Sequence, residues 1–71
     1  MHAFLKIVDL NGDILYVNPS WVVTVRPGNR TSFKASGAEI KVADGTDVKS
    51  FFTEPGEATD TVVKWMGVEN Y

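Results

Sequence analysis

Seventy-one residues with no cysteine and a single histidine leave no disulfide framework and no thiolate metal site, so one small domain must be held by packing alone. A hydrophobic share of 44% is too high for a disordered chain, and no apolar run approaches the roughly 18–20 residues that cross a bilayer. A net charge of −2 argues against a dedicated nucleic-acid binder. The opening run, with Lys6 inside a strand-like segment and no cleavage site, predicts no signal peptide, and a soluble, cytoplasmic chain without membrane contact is the expectation.

Residues 3–10 and 13–18 read as a hairpin about Asn11-Gly12, a dipeptide that supplies the positive φ of a tight turn. A two-residue turn sets Val8 against Leu15 and Ile7 against Tyr16. A three-residue loop would oppose Asp9 and Asp13, a like-charge pair, so the two-residue turn is expected. Both faces then stay apolar, with Leu5, Ile7, Ile14 and Tyr16 on one and Phe4, Val8, Leu15 and Val17 on the other. A sheet wet on one side alternates more cleanly, so something is expected to cover both faces: a rolled sheet, a helix or a second copy of the chain.

Asn18-Pro19-Ser20 breaks the pattern. Trp21 to Arg26 follows as a third strand, with Trp21, Val23 and Val25 on one side, and Pro27-Gly28 ends it. Ala38 to Val42 is a fourth strand, Ala38, Ile40 and Val42 inward, Glu39 and Lys41 outward. A three-residue Ala43-Asp44-Gly45 loop would pair Lys41 with Asp47 and Glu39 with Lys49, two opposite-charge pairs, and is the expected register into a fifth strand ending near Thr53. Pro55 opens a helix with Glu54, Glu57 and Asp60 near its positive end, an apolar face of Ala58, Val62, Trp65 and Met66, and a Gly67 stop after which Val68 packs back.

The long connection from Arg26 to Gly37 carries Arg26, Arg30 and Lys34 with no acid, several hydroxyls and Phe33. It reads first as a solvated loop, with Ser32 to Ala35 extending a strand and Phe33 buried. Its cations and hydroxyls also suit a phosphate with Phe33 stacked on a base, or an acidic protein surface. Trp21 and Trp65 are expected in the core, because a short chain needs bulky side chains to bury enough area. Of the neighbours Phe51 and Phe52, one must face away from the core and offers a contact point for a partner. His2 lies near a terminus and no serine has an orienting histidine, so no catalytic residue, metal site or cofactor is expected. Residues 1–37 carry four cations against two acids and residues 38–71 three against seven, so the basic character is concentrated in that loop.

The run Leu10-Asn11-Gly12, then Tyr16-Val17-Asn18-Pro19, a Val-rich strand and Ile40-Lys41-Val42-Ala43-Asp44-Gly45 resembles the small FlbD/SwrD-type flagellar proteins and related short phage-encoded proteins, over roughly residues 5–66. The long basic loop and the Trp65-Met66-Gly67 ending depart from that pattern. The resemblance implies a small non-enzymatic accessory protein and transfers no binding residues.

The expectation is therefore a mainly β domain over residues 1–71, a five-stranded antiparallel roll or open barrel closed by one C-terminal helix. Its expected role is non-catalytic contact with a macromolecular partner, a protein, with self-association as well; a phage-encoded chain would act on a host protein. The contacts assigned are Phe51, Phe52, a strand edge and the loop Arg26, Arg30, Phe33 and Lys34. The alternative is an oligomeric anion-binding module holding a nucleotide or nucleic-acid phosphate through residues 26–37.

Overall fold

A computed structural model describes residues 4–29 and 32–67. His2, Ala3, Arg30 and residues 68–71 lie outside them, and with them the proposed packing of Val68. Strands β1 (Leu5–Val8) and β2 (Ile14–Val17) form one antiparallel sheet, and β3 (Val22–Pro27), β4 (Ala38–Asp44) and β5 (Asp47–Thr53) form a second in the order β3-β4-β5. A 3-10 turn (Pro19–Trp21) joins the sheets, a single helical turn α1 (Phe33–Ser36) joins β3 to β4, and α2 (Glu57–Met66) follows β5. The two open sheets roll around one core, mainly β with a C-terminal helix, as the hydrophobic pattern predicts.

The first hairpin departs from its expected register. Leu5 pairs with Val17, Ile7 with Leu15 and Val8 with Ile14, so the loop has three residues and Asp9 does face Asp13. The like charges are tolerated because the Asp9 carboxylate turns into the loop. Its Oδ1 accepts the backbone N–H groups of Asn11 (2.9 Å) and Asp13 (3.0 Å), and Gly12 closes the turn at φ +84°. This register re-sorts the faces. Leu5, Ile7, Leu15 and Val17 point into the core, while Phe4, Val8, Ile14 and Tyr16 share the outer face with Lys6.

The β4–β5 hairpin also turns differently. Asp44 pairs with Asp47 around Gly45-Thr46, which places Ile40 opposite Phe51 and Glu39 opposite Phe52. The expected pairs Lys41–Asp47 and Glu39–Lys49 do not form. Gly45 takes φ +66° as the first of two turn residues, a geometry that suits the twist of the strands. The register brings Phe51 onto Ile40 in the core row, a larger gain than exposed ion pairs supply. Glu39, expected outward in solvent, is instead buried beside Phe52 and held by Arg26.

In β3 a bulge lies between Val22, opposite Val42, and Thr24, opposite Lys41. The extra residue, Val23, is exposed, and Val22 and Val25 both reach the core. The predicted inward row of Trp21, Val23 and Val25 is thus broken at its first two members. The connection after β3 does not extend a strand. Ser32 caps α1, its Oγ accepting the Ala35 N–H (3.2 Å), and Phe33 packs against the core.

Helix α2 begins at Glu57, after Pro55 and Gly56, and ends on Gly67 in the left-handed conformation at φ +77°. Its buried residues are Thr59, Val62 and Val63, with Met66 packed at the core's edge. The face is rotated from the one predicted, because Thr59 is held by hydrogen bonds. Its hydroxyl bonds the Thr53 hydroxyl (2.7 Å) and donates to the Glu54 carbonyl, while Thr53 Oγ1 accepts the Ala38 N–H (3.2 Å). Trp65 is left at the surface. This buried hydroxyl chain fixes α2 to the end of the three-stranded sheet.

Two substitutions test this joint. Thr59→Ala strands the Glu54 carbonyl and the Thr53 hydroxyl and is expected to cost about 1–3 kcal/mol in urea denaturation. Gly37→Ala is expected to cost more, about 3 kcal/mol or above, since Gly37 sits at φ +77° and an added Cβ would collide with the Thr53 carbonyl oxygen.

Candidate functional site

Where β2, the 3-10 turn and the β4–β5 hairpin approach one another, the roll opens into a cleft of about 370 Å³. Its lining includes four aromatic side chains, Phe4, Tyr16, Trp21 and Phe51, over Leu15, Val17 and Val42. Each is placed by a local rule. Tyr16 stands on the outer side of β2 and is 65% exposed. Phe51 lies opposite Ile40 and packs on the core with part of its ring uncovered.

Trp21 is set by the break that precedes it. Asn18 accepts the Ser20 N–H (3.0 Å) and the Ser20 hydroxyl (2.8 Å), and the Trp21 N–H donates to the Asn18 carbonyl (2.9 Å). Pro19 occupies the first position of this turn, where its missing N–H costs nothing. The tight turn rotates Trp21 out of the strand alternation, and its indole is 55% exposed at the cleft instead of buried in the core.

The polar lining consists of Asn18, Asp44 and Lys49. Lys49 Nζ lies 3.1 Å from Asp44 Oδ2 with both side chains more than half exposed, a pair worth at most about 1 kcal/mol. No nucleophile and base face each other in this lining. What it offers is apolar and π surface with a weak polar rim, the chemistry that seats an aliphatic or aromatic group.

The residues singled out from sequence do not converge on one place. Phe51 lines the cleft. Phe52 points the other way, is 42% exposed and borders a shallow hollow with Leu10. Phe33 is committed to the core and Lys34 is exposed on α1. Arg26 Nε sits 2.6 Å from Glu39 Oε1, the arginine side chain 64% exposed and the carboxylate 10%. Arg26 is also the one described cation lining the hollow it shares with Pro27, Gly28 and Asn29. Among the described residues no group of three potential metal ligands converges, and no helix is long and apolar enough to cross a membrane.

Phe4, Tyr16 and Trp21 were not singled out as contact residues by the sequence reading. The signal for Trp21 was present in Asn18-Pro19-Ser20, which caps and starts a helical turn as readily as it ends a strand. For Tyr16 the signal depended on the hairpin register. No family model, curated protein or solved structure matches the chain.

The Arg26–Glu39 geometry separates a structural cation from a free one. Arg26→Ala leaves a buried carboxylate without its partner and is expected to lower stability by about 1–2 kcal/mol, whereas Lys34→Ala should change it by less than about 0.5 kcal/mol, both read by thermal and urea unfolding.

Proposed function

We propose that this chain is a non-catalytic binding protein that takes an apolar side chain of a protein partner into the cleft between its two sheets. The observation that carries the reading is the group of Phe4, Tyr16 and Trp21, all more than half exposed, around a concave apolar opening. A 71-residue chain short of core would gain stability by burying these rings, yet the fold turns them outward around one opening. Tyr and Trp are also the side chains that most often dominate binding energy at interfaces. The resemblance to small flagellar and phage-encoded proteins points the same way, toward an accessory protein acting on a larger partner, and toward a host protein if the chain is phage-encoded.

The phosphate-binding alternative is supported less. Of its three cations Arg26 is engaged by Glu39, Lys34 is exposed on α1, and Arg30 lies outside the described residues.

Selection from a displayed random-peptide library, followed by titration of the enriched peptides, tests both. The expected result is peptides with an aromatic or aliphatic anchor, bound with little dependence on salt and weakened about 30-fold or more by Trp21→Ala. Enriched peptides whose binding ignores Trp21→Ala would remove the cleft from consideration. Binding of a nucleotide or oligonucleotide that falls steeply with salt and with the Arg26→Ala/Lys34→Ala pair would favour the phosphate reading instead.

A further inference from the structure

Among the described residues, every exposed strand edge except one carries a device that discourages pairing. β1 carries Lys6 and has α2 packed on it. β3 has the Val23 bulge, Arg26 and Pro27. β5 carries Asp47 and Lys49. β2 reads Ile14-Leu15-Tyr16-Val17, with no charge, proline or bulge, and among the described residues β1 is its only strand neighbour. Natural sheets seldom leave such an edge bare, because its unpaired N–H and C=O groups template another strand.

The direction of those groups follows from the hairpin. The Asp9 N–H donates to the Asp13 carbonyl (3.1 Å), so Asp9 and Asp13 are a hydrogen-bonded pair. Antiparallel ladders alternate, which makes Ile7–Leu15 and Leu5–Val17 the next bonded pairs. The backbone groups of Ile14 and Tyr16 therefore turn away from β1, toward the bare edge.

The geometry points to a second copy of this chain as the occupant of that edge, giving a continuous antiparallel sheet β1-β2-β2-β1 across a two-fold axis. A strand pairing antiparallel with its own copy is self-complementary by symmetry. Centring the axis at Leu15 sets Ile14 opposite Tyr16 of the second copy, and the reverse, using all the outward N–H and C=O groups of these two residues. Leu15 then meets Leu15 of the second copy on the inner face. On the outer face two β-branched–aromatic pairs form from side chains that are 56% and 65% exposed in the single chain. The two Asp13 residues fall at opposite ends of the new ladder, about 13 Å apart along the strands and so beyond the Debye length of about 8 Å at physiological salt.

This pairing does not rest on the cleft reading, but it shares Leu15 and Tyr16 with the cleft lining, so a dimer and a partner anchored in the cleft compete, while Ile14 lies outside that lining. Sedimentation equilibrium of the full chain from low micromolar to millimolar concentration, with hydrogen exchange at both ends of that range, tests it. The expected result is a dimer at high concentration whose Ile14 and Tyr16 amides gain protection on association. Ile14→Lys, and independently Ile14→Pro, which removes an outward N–H and no ladder bond to β1, should weaken association about tenfold or more. Both should keep the wild-type circular dichroism. A wild-type chain that stays monomeric throughout would overturn the proposal, as would a dimer indifferent to both substitutions. Trp21→Ala should leave the dimer intact, so failure of the cleft and failure of the edge pairing are read separately.

Discussion

β4 is the one described strand with a neighbour on each side, and its inward row of Ala38, Ile40 and Val42 shares one buried cluster with Leu5, Ile7, Val17 and Val62. In a chain without disulfide or thiolate metal site, the apolar burial organised around that row has to offset the ordering entropy. Other positions are adjusted to keep the row covered. The bulge at Val23 lets Val22 meet Val42 while Val25 still meets Ile40. The Gly45-Thr46 turn brings Phe51 onto Ile40. At the end of the row, the Ala38 N–H is bonded by Thr53, whose hydroxyl also reaches Thr59 on α2.

Strands, their order along the chain and the terminal helix were legible in the sequence because alternation and turn residues report local structure. Registers were not, and the reason lies in particular side chains. A pairwise charge rule disfavoured Asp9 opposite Asp13, but Asp9 spends its carboxylate on two loop amides. The same rule favoured Glu39 with Lys49, whereas Glu39 is taken by Arg26 from the strand on the other side. Cross-strand charge arguments consider two strands, and a central strand has three in play. A bulge is a further one-residue change that periodicity cannot locate, since Val22, Val23 and Val25 differ in position and not in chemistry.

The candidate site was legible only through Phe51. Trp21 was assigned to the core by size, and what exposes it is a capped turn of three residues, Pro19–Trp21. The basic loop drew attention by composition, yet its described cations serve separate places. The connection does bend back, with the Gly28 N–H donating to the Gly37 carbonyl, but Arg26 is engaged by Glu39 and Lys34 is exposed on α1, so the two described cations share no site. The cleft arises the other way round, from residues far apart in sequence that the roll brings together.

Each sheet joins strands that are neighbours in the chain, so β1–β2 and β3–β4–β5 are built from local contacts that close quickly. The packing of β1 against β5 and under α2 is the exception, spanning about forty to fifty residues of chain. During synthesis the hairpin β1–β2 therefore leaves the ribosome with Leu5 and Ile7 uncovered, and their burial is completed only when residues 57–66 have followed. For that interval the nascent chain presents an apolar hairpin without its lid, the stage at which a chaperone or a neighbouring nascent copy can reach it.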